Sequence, residues 1–323
     1  MSVQETNPGL VSPRVLGTLL IFGCLFVALP YVLSSYDLGL VVEVLVFALF
    51  AMSLDLLIGY TGMASLGHAA YFGVAAYATG LLSVKLGWSV WAVLPVSLAA
   101  AALTALLFGL LALRTRGSYF LMITLALSQV VWGLAFGWRS LTGGDDGLPD
   151  VPRPSLGPHL SFVTDRPFYY FVLLLVGVAT VLLVAIVSSP FGYALRGIRE
   201  SETRMLALGY NVKAYKLLAF VLAATFAGLA GSLYVYYTRF VSPDYLEVLR
   251  SAEVLLMVIL GGAGTLIGPA IGAAIIVLLE NVVSAYTERW LVVVGVIYIL
   301  VALFAPNGLV GLARDLVRKR LRP

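Results

Sequence analysis

Seven apolar segments, each of about 20 residues, occupy most of this 323-residue chain before residue 240. A helix of that length crosses a hydrocarbon core about 30 Å thick, so each segment is long enough for one crossing. Only 11% of the residues are charged, against about 25% in an average soluble domain. A water-soluble globular protein is therefore excluded, and we predict an all-α, polytopic integral membrane protein. The seven segments lie near residues 15–35, 38–59, 63–84, 90–113, 118–138, 168–189 and 215–238.

The stretch from Leu246 to Phe304 is interrupted by glycine and polar residues and holds two or three further crossings. Basic residues mark cytoplasmic loops. Here they concentrate around Arg114 and Arg116, between Arg196 and Lys216, and in the C-terminal tail. These three regions share one side of the membrane only if three crossings precede the tail, near residues 246–262, 267–284 and 288–305. We therefore predict about ten spans with both termini in the cytoplasm, and a re-entrant hairpin at 246–262 is the alternative.

This topology predicts three parts: a cytoplasmic N-terminal segment at 1–14, a transmembrane permease domain at 15–305, and a basic cytoplasmic tail at 306–323. The first apolar segment is preceded by a polar stretch with Arg14 as its only basic residue, and it continues to Leu33. It is therefore interpreted as a retained first span rather than a cleaved signal peptide.

Two loops of the predicted domain are long. The external loop at 139–167 contains Thr142-Gly-Gly-Asp-Asp-Gly-Leu followed by several prolines, which predicts a set of ordered turns. The cytoplasmic loop at 190–216 is predicted to contain a short helix from Glu200 to Gly209. Its apolar positions are Met205, Leu206 and Leu208. Such a helix is suited to lie against a partner.

The sequence carries no recognisable catalytic or nucleotide-binding motif. A P-loop is absent, and Gly262-Ala-Gly264 is not a dinucleotide fingerprint because Ile267 occupies its third glycine position. His68 and His159 are the only histidines, and neither begins a metal-binding motif. We therefore expect no enzyme active site, no metal and no cofactor in this chain. The net charge of +4 is attributed to cytoplasmic loops, so no nucleic-acid partner is expected.

Two segments, 59–73 and 261–272, are too rich in glycine for ordinary membrane helices. Glycine permits close helix packing, but it also permits unwound backbone that lines a water-filled path. The sequence leaves both interpretations open. Glycines spaced four residues apart allow two helices to approach closely, and this spacing occurs at Gly264, Gly268 and Gly272 and at Gly133 and Gly137.

A few polar side chains fall within the predicted spans. Glu43, Asp55 and His68 lie near enough to span ends to reach the interface, and each is interpreted as a satisfied structural residue. Glu280 and Asn281 are interpreted as markers of a span end. Gln129 differs because it lies in the middle of a span, where an amide bonds another helix or faces water.

Five motifs occur in order between about residues 40 and 310 and together resemble the permeases of branched-chain amino-acid ABC importers, LivM type. They are Gly59-Tyr-Thr-Gly-Met-Ala-Ser-Leu-Gly-His, Arg116-Gly-Ser-Tyr-Phe-Leu-Met-Ile-Thr, Thr142-Gly-Gly-Asp-Asp-Gly-Leu, Pro190-Phe-Gly-Tyr-Ala-Leu-Arg-Gly-Ile-Arg-Glu and Leu260-Gly-Gly-Ala-Gly-Thr-Leu-Ile-Gly-Pro. The resemblance implies a LivH-type second permease, two cytoplasmic ABC ATPases that use ATP, and an external solute-binding protein. It places the chain in the cytoplasmic membrane of a bacterium or archaeon, in contact with membrane lipid.

The resemblance also implies roles for particular residues. The ATPase-coupling helix is assigned to Arg199, Glu200, Glu202, Arg204, Met205, Leu206, Leu208 and Gly209, although Arg204 and Met205 stand where the family pattern has small residues. The translocation path is assigned to Gly59, Tyr60, Thr61, Gly62, Ser65, His68, Gln129, Gly261, Gly262 and Gly264. Docking of the binding protein is assigned to Gly143, Gly144, Asp145 and Asp146. An ordinary basic loop and a plain solvated loop are the respective alternatives for the first and last sets.

Three other functions are weighed against uptake of branched-chain amino acids. The same family type could carry urea, short amides or other amino acids, which only the binding protein would distinguish. A stand-alone secondary transporter would show a clearer internal repeat than this chain does. An integral-membrane enzyme would need paired acid, base or metal groups.

Overall fold

A computed structural model describes residues 26–154, 162, 164–286, 292, 295–296, 299 and 308–311. This part of the chain is helical, with one isolated antiparallel bridge between Leu148 and Val241, so the predicted all-α class is confirmed. Besides helical residues at 26–32 and 308–311, its helices are α1 (Ser35–Thr61), α2 (His68–Val84), α3 (Val90–Ala112), α4 (Ser118–Gly137), α5 (Arg139–Thr142), α6 (Asp165–Ser188), α7 (Pro190–Glu200), α8 (Glu202–Ala207), α9 (Val212–Thr238), α10 (Val248–Gly261) and α11 (Ile267–Ser284). Short 3₁₀ turns occupy Gly144–Asp146 and Pro243–Leu246.

Within the described ranges, six helices are long and apolar enough to cross a membrane: α1, α3, α4, α6, α9 and α11. Most of the first and last predicted spans, near 15–35 and 288–305, lies outside the described residues. So do the N-terminal segment at 1–14 and most of the tail at 306–323. The multi-pass architecture is as expected, whereas the number of ten spans stays a prediction.

Two predicted spans differ from the helices observed. The span predicted from residue 63 begins at His68, because Gly62 is left-handed (φ 73°) and residues 62–67 are irregular. The span predicted at 246–262 is the 14-residue helix α10, which is about 21 Å long and therefore too short to cross the hydrocarbon core alone.

The short length of α10 follows from the segment that precedes it. After α9 the chain runs inward as buried, mostly non-helical backbone: Val241 lies against Gly80 of α2, and Leu246 lies against Gly73 of the same helix. Gly73 and Gly80 are seven residues apart, which is about 10 Å along α2. The segment therefore advances about 10 Å along α2 before α10 begins. Irregular backbone of this kind is tolerated at membrane depth where protein covers it.

The centre of the bundle is formed by α1 and α9. Of the membrane-length windows in these two helices, 72% is buried, against 22% to 33% in the other four. Helix α9 packs against α1, α2 and α3, while α1 also packs against α6, α10 and α11. Apolar residues all around both helices suit this position, since a helix surrounded by protein needs no polar face.

Glycine spacing has different consequences in two places. Gly268 and Gly272 of α11 lie against the main chain of Gly261 and Met257 in α10, so the predicted close approach is confirmed for this pair of helices. Gly133 and Gly137 of α4 behave differently. A Cβ placed on either would meet nothing within 4 Å among the described residues, so the spacing is not used for close approach in this part of the chain.

Candidate coupling and translocation site

The two glycine-rich segments meet at one end of the bundle. The buried Asp55 carboxylate of α1 accepts hydrogen bonds from the main-chain amides of Gly264, at 2.6 Å, and Leu266, at 3.0 Å. Both donors belong to the turn between α10 and α11. Gly59, one helical turn after Asp55, packs so closely that a Cβ there would overlap the main chain of Gly264. Asp55 therefore fastens the α10–α11 turn onto the end of α1.

The turn held by Asp55 has a strained backbone. Leu266 has φ 57° without being glycine, a conformation that costs roughly 1–3 kcal/mol and persists only where the surroundings enforce it. Gly262 and Gly264 also have positive φ, as glycine permits. The carboxylate of Asp55 satisfies two amides of this turn that would otherwise be buried without acceptors.

Asp55 and His68 do not reach the interface, contrary to the expectation from their positions near span ends. Both side chains are completely buried. His68 Nε2 is hydrogen-bonded to Ser53 Oγ at 2.8 Å, and its ring stacks on Phe50 with 5.4 Å between centroids. The reason is that α1 is central to the bundle, so residues close to its end are covered by neighbouring helices rather than by water or headgroups.

Arg199 of α7 connects the predicted cytoplasmic loop to this junction. Its guanidinium donates a hydrogen bond to the carbonyl oxygen of Gly59 and interacts electrostatically with Asp55. A Cβ on Gly62 would lie 3.2 Å from the Arg199 side chain, so this glycine also leaves room for it. One arginine of the loop thus contacts the end of α1 beside the α10–α11 turn.

The predicted coupling helix from Glu200 to Gly209 is shorter in the structure, and Glu200 belongs to the preceding helix. Ser201 separates the two helices because its backbone is extended (φ −162°) and its side chain accepts a hydrogen bond from the Arg204 amide, which caps α8. Gly209, with φ 86°, follows the helix end.

The apolar residues of this segment divide between core and surface. Met205 is buried against the protein, while Leu206 and Leu208 are 53% and 67% exposed. The exposed pair lies in a loop outside the membrane-length helices. It is therefore a surface that another protein chain can cover.

A cleft of about 480 Å³ separates α7 and α8 from the α3–α4 loop. Arg116, Glu202, Lys213 and Lys216 are among its lining residues, and Glu202 forms ion pairs with Lys216 and, at 3.8 Å, with Arg116. The two loops whose basic residues predict the same side of the membrane thus line one cleft. Thr61, at the end of α1, lines the same cleft.

The remaining path candidates fall into two groups. Ser65 Oγ accepts from the Gly67 amide at 3.2 Å, and the amide of Leu66 donates to Thr124 Oγ1 at 3.3 Å, so the irregular 62–67 segment is tied to α4. Tyr60 lies under the Arg196 guanidinium at 5.1 Å. Gln129 is half-buried and makes no side-chain hydrogen bond within the described ranges. The structure therefore gathers the glycine-rich residues but leaves Gln129 apart.

The predicted docking loop forms a tight turn at the opposite end of α4 from Arg116. Gly143 has φ 82°, and a Cβ there would overlap the carbonyl of Gly147, so only glycine fits. Thr142 Oγ1 donates to the carbonyl of Ala135 at 2.6 Å and fixes the turn to α4. Asp145 and Asp146 are both exposed on this turn.

Sequence reasoning missed a second group of ionisable residues. Glu43 lies near Asn281, and Arg250 donates to Glu253 at 2.9 Å. Glu280 interacts electrostatically with Glu43, Arg250 and Glu253, so α1, α10 and α11 contribute to one group. Ionisable residues are rare inside membranes, and this rarity alone marks each residue of the group as a candidate functional residue. The position of Glu280 and Asn281 near a span end favours boundary markers, and the sequence alone does not show that Glu43 and Arg250 lie nearby.

Comparison with known proteins matches most of the chain to permeases of branched-chain amino acid transport systems. A family model described as the permease component of a branched-chain amino acid transport system matches residues 37–302. The chain is 28% identical over 312 residues to the high-affinity branched-chain amino acid transport system permease protein LivM of Escherichia coli K12, covering 90% of this chain and 73% of that protein. It is 28% identical over 310 residues to the LivM protein of Salmonella typhimurium LT2, covering 89% and 73%. It is 26% identical over 287 residues to the LivH permease of the same Salmonella strain, covering 82% and 91%. No solved structure gives a significant match.

Proposed function

The chain belongs to the family of permease components of branched-chain amino acid transport systems, LivM type, and we propose that it forms half of the path by which branched-chain amino acids enter the cell. It is the multi-pass permease subunit of an ABC importer. The match of the family model to residues 37–302 is the observation that carries this conclusion, because it covers the membrane-length helices described, apart from the first two residues of α1.

The proposed partners are a LivH-type second permease, two cytoplasmic ABC ATPases and an external solute-binding protein. Similarity to both LivM and LivH relatives supports pairing of two permeases of the same general fold. The ATPases would bind and hydrolyse ATP, since the chain has no P-loop of its own, and the permease would need no cofactor. We place it in the cytoplasmic membrane with both termini in the cytoplasm.

The contact between Arg199 and Gly59 supports a route for coupling. ATP-driven closure of the ATPases would displace α7 and α8, where Leu206 and Leu208 offer an exposed apolar surface. Because Arg199 contacts the end of α1 and Asp55 fastens the α10–α11 turn to the same end, both glycine-rich segments would move together. Their irregular backbone lines the proposed path, and its movement would alternate access to the two sides.

The external turn at Asp145 and Asp146 is the proposed contact for the binding protein. Its glycines hold two exposed carboxylates in a fixed position at the end of the molecule away from the Arg199 junction. Fixed surface charges steer association with a partner of opposite charge. The binding protein would therefore dock with a basic surface at this turn.

Family membership does not favour the alternatives of a stand-alone secondary transporter or a carrier of urea, amides or other amino acids. The test is reconstitution of the complete complex in proteoliposomes with its binding protein and internal ATP. Radiolabelled leucine should accumulate only when the binding protein, both permeases, the ATPases and ATP are all present. Gradient-driven uptake by this chain alone would contradict the proposal.

A further inference from the structure

A group of ionisable residues lies in the half of the membrane domain remote from the coupling site. It consists of Glu43 of α1, Arg250 and Glu253 of α10, and Glu280 of α11, and it is called the charge station below. Glu43 precedes Asp55 by twelve residues, which places it about 18 Å away along α1. The charge station is therefore separate from the junction that Arg199 contacts.

The residues of the charge station come from three helices. Arg250 Nη1 donates to Glu253 Oε2 at 2.9 Å, and the guanidinium lies over the ring of Phe47 at 5.5 Å. Glu280 interacts with Glu43, Arg250 and Glu253. Tyr234 of α9 packs edge-on against Phe47, with 5.4 Å between the ring centroids, and so lies near the same group.

The station is neither balanced in charge nor sealed from its surroundings. Three acidic side chains lie near one guanidinium, and the side chains of Arg250 and Glu253 are 21% and 16% exposed. A charged group at membrane depth is unfavourable against hydrocarbon and is found facing the bundle interior or a water-filled cavity. The exposed edge of the pair is therefore turned toward a water-filled path or the second permease rather than toward lipid.

The chemistry of the station matches that of a free amino acid. An α-amino acid carries an ammonium group and a carboxylate on one carbon, so its recognition needs both signs of charge in close proximity. The guanidinium of Arg250 has five N–H donors, and the described ranges show one of them in a hydrogen bond. The remaining donors can bind a carboxylate through two parallel hydrogen bonds. The surplus of glutamates supplies acceptors for an ammonium group.

We propose that Arg250, Glu253, Glu43 and Glu280 form a transient binding station for the zwitterionic backbone of the transported amino acid. Arg250 binds the carboxylate, and the glutamates bind the ammonium group. The internal pair between Arg250 and Glu253 competes with the substrate, which keeps binding weak enough for release, as conduction requires. This inference rests on the proposed function and assigns the residues that would handle its substrate.

The test compares two quantities in proteoliposomes that contain the complete complex. One is ATP hydrolysis stimulated by leucine-loaded binding protein, and the other is uptake of radiolabelled leucine. Arg250→Gln and Glu280→Gln should each lower leucine uptake per ATP hydrolysed at least tenfold while stimulated hydrolysis stays within twofold of the wild-type rate. Arg239→Gln, which alters an exposed arginine outside the station, should change neither quantity.

A structural ion pair is distinguished from a binding station by the double variant Arg250→Gln/Glu253→Gln. Removing both charges leaves neither partner of the Arg250–Glu253 pair without its counter-charge, so this pair would tolerate the change if its role were only structural. If these residues bind the substrate, leucine uptake per ATP hydrolysed should remain at least tenfold below the wild-type value in the double variant. Recovery of the wild-type ratio in the double variant would overturn the proposal, as would a parallel fall of hydrolysis and uptake in Arg250→Gln. Only assembled complexes are compared, and Glu280→Gln carries the test if Arg250→Gln does not assemble.

The substrate of the wild-type complex separates failure of this inference from failure of the proposed function. If another zwitterionic amino acid is imported instead of leucine, the proposed substrate is wrong and the station is tested with that amino acid. If only an uncharged amide is imported, the station itself is wrong. If leucine is imported and the variants match the wild type, the proposed function stands without the station.

Discussion

The carboxylate of Asp55 accepts a hydrogen bond from the main-chain amide of Gly264 at 2.6 Å, although 209 positions separate the two residues in the chain. This bond joins the two segments whose glycine content marks them as unusual in the sequence. It also places them within reach of Arg199, which donates to the carbonyl of Gly59. A single buried acid thus organises the end of the bundle that carries α7 and α8.

Replacing Asp55 with asparagine should destabilise the permease. The amide keeps one acceptor oxygen, but its NH₂ group cannot accept from the second of the Gly264 and Leu266 amides, which is left buried and unsatisfied. Such a group costs about 1–3 kcal/mol. We expect a lower midpoint of thermal unfolding for the purified complex. Asp150→Asn, in an exposed turn, is the matched control and should leave the midpoint unchanged; equal midpoints for the two variants would contradict the role of Asp55.

Arg199→Gln should uncouple ATP hydrolysis from transport. Without the guanidinium the loop helices lose their hydrogen bond to Gly59, so displacement of α7 reaches the junction less completely. Leucine uptake should fall about tenfold, which corresponds to roughly 1.4 kcal/mol, while stimulated ATP hydrolysis persists. Arg114→Gln, an exposed arginine of the neighbouring basic loop, serves as the control. If Arg199→Gln takes up as much leucine per ATP hydrolysed as the wild type, Arg199 is not part of the coupling route.

Two glycine-to-alanine changes should have opposite effects. Gly59→Ala places a methyl group onto the main chain of Gly264 and the Asp55 carboxylate, neither of which can move away cheaply. We expect either loss of folded protein or a free energy of unfolding that is lower by about 2 kcal/mol or more, because a side chain is forced against atoms that cannot move.

Gly133→Ala is the matched comparison in α4, where a Cβ meets nothing within 4 Å. Alanine there should stabilise the isolated chain by about 0.5–1 kcal/mol, because glycine is the poorer helix former. Thermal unfolding of the chain with and without its permease partner would check this. Stabilisation of the isolated chain together with weaker pairing would indicate that a partner helix packs against Gly133.

Leu206→Asp and Leu208→Asp should weaken association with the ATPases without destabilising the permease. Both side chains are more than half exposed, so they contribute little to the core, whereas Met205 in the same segment is buried. Copurification of the ATPases should fall for the two aspartate variants and stay unchanged for Leu141→Asp, a control in the predicted external loop. Full copurification of the ATPases with both variants would place the coupling surface elsewhere.

The sequence predicted the class and much of the local structure because those features depend on neighbouring residues. Apolar length predicted the helices at 90–112, 118–137 and 267–284 to within one residue of their observed ends. Charge in the loops correctly grouped Arg116 with the Arg196–Lys216 region, which share one cleft. The glycine content of 59–73 left close packing and irregular backbone both open, and the structure shows irregular backbone at 62–67.

Tertiary structure decided what the polar residues do. Position along a span indicated that Asp55 and His68 could reach the interface, yet both are fully buried because α1 is surrounded by other helices. The segment at 246–262, for which the sequence left a span and a re-entrant hairpin open, is a 14-residue helix that buried backbone enters from within the bundle.

By itself, therefore, the sequence determined that this chain is an all-α membrane protein with two unusual glycine-rich segments and an importer-permease pattern of motifs. These follow from composition and short spacings, which act through the bilayer and through local backbone preference. Only the tertiary structure decided that Asp55 joins the two segments, that Arg199 contacts their junction, and that Arg250 lies among three glutamates. Those relationships depend on how helices distant in sequence pack around α1 and α9, and packing of that kind leaves no periodic signal in the chain.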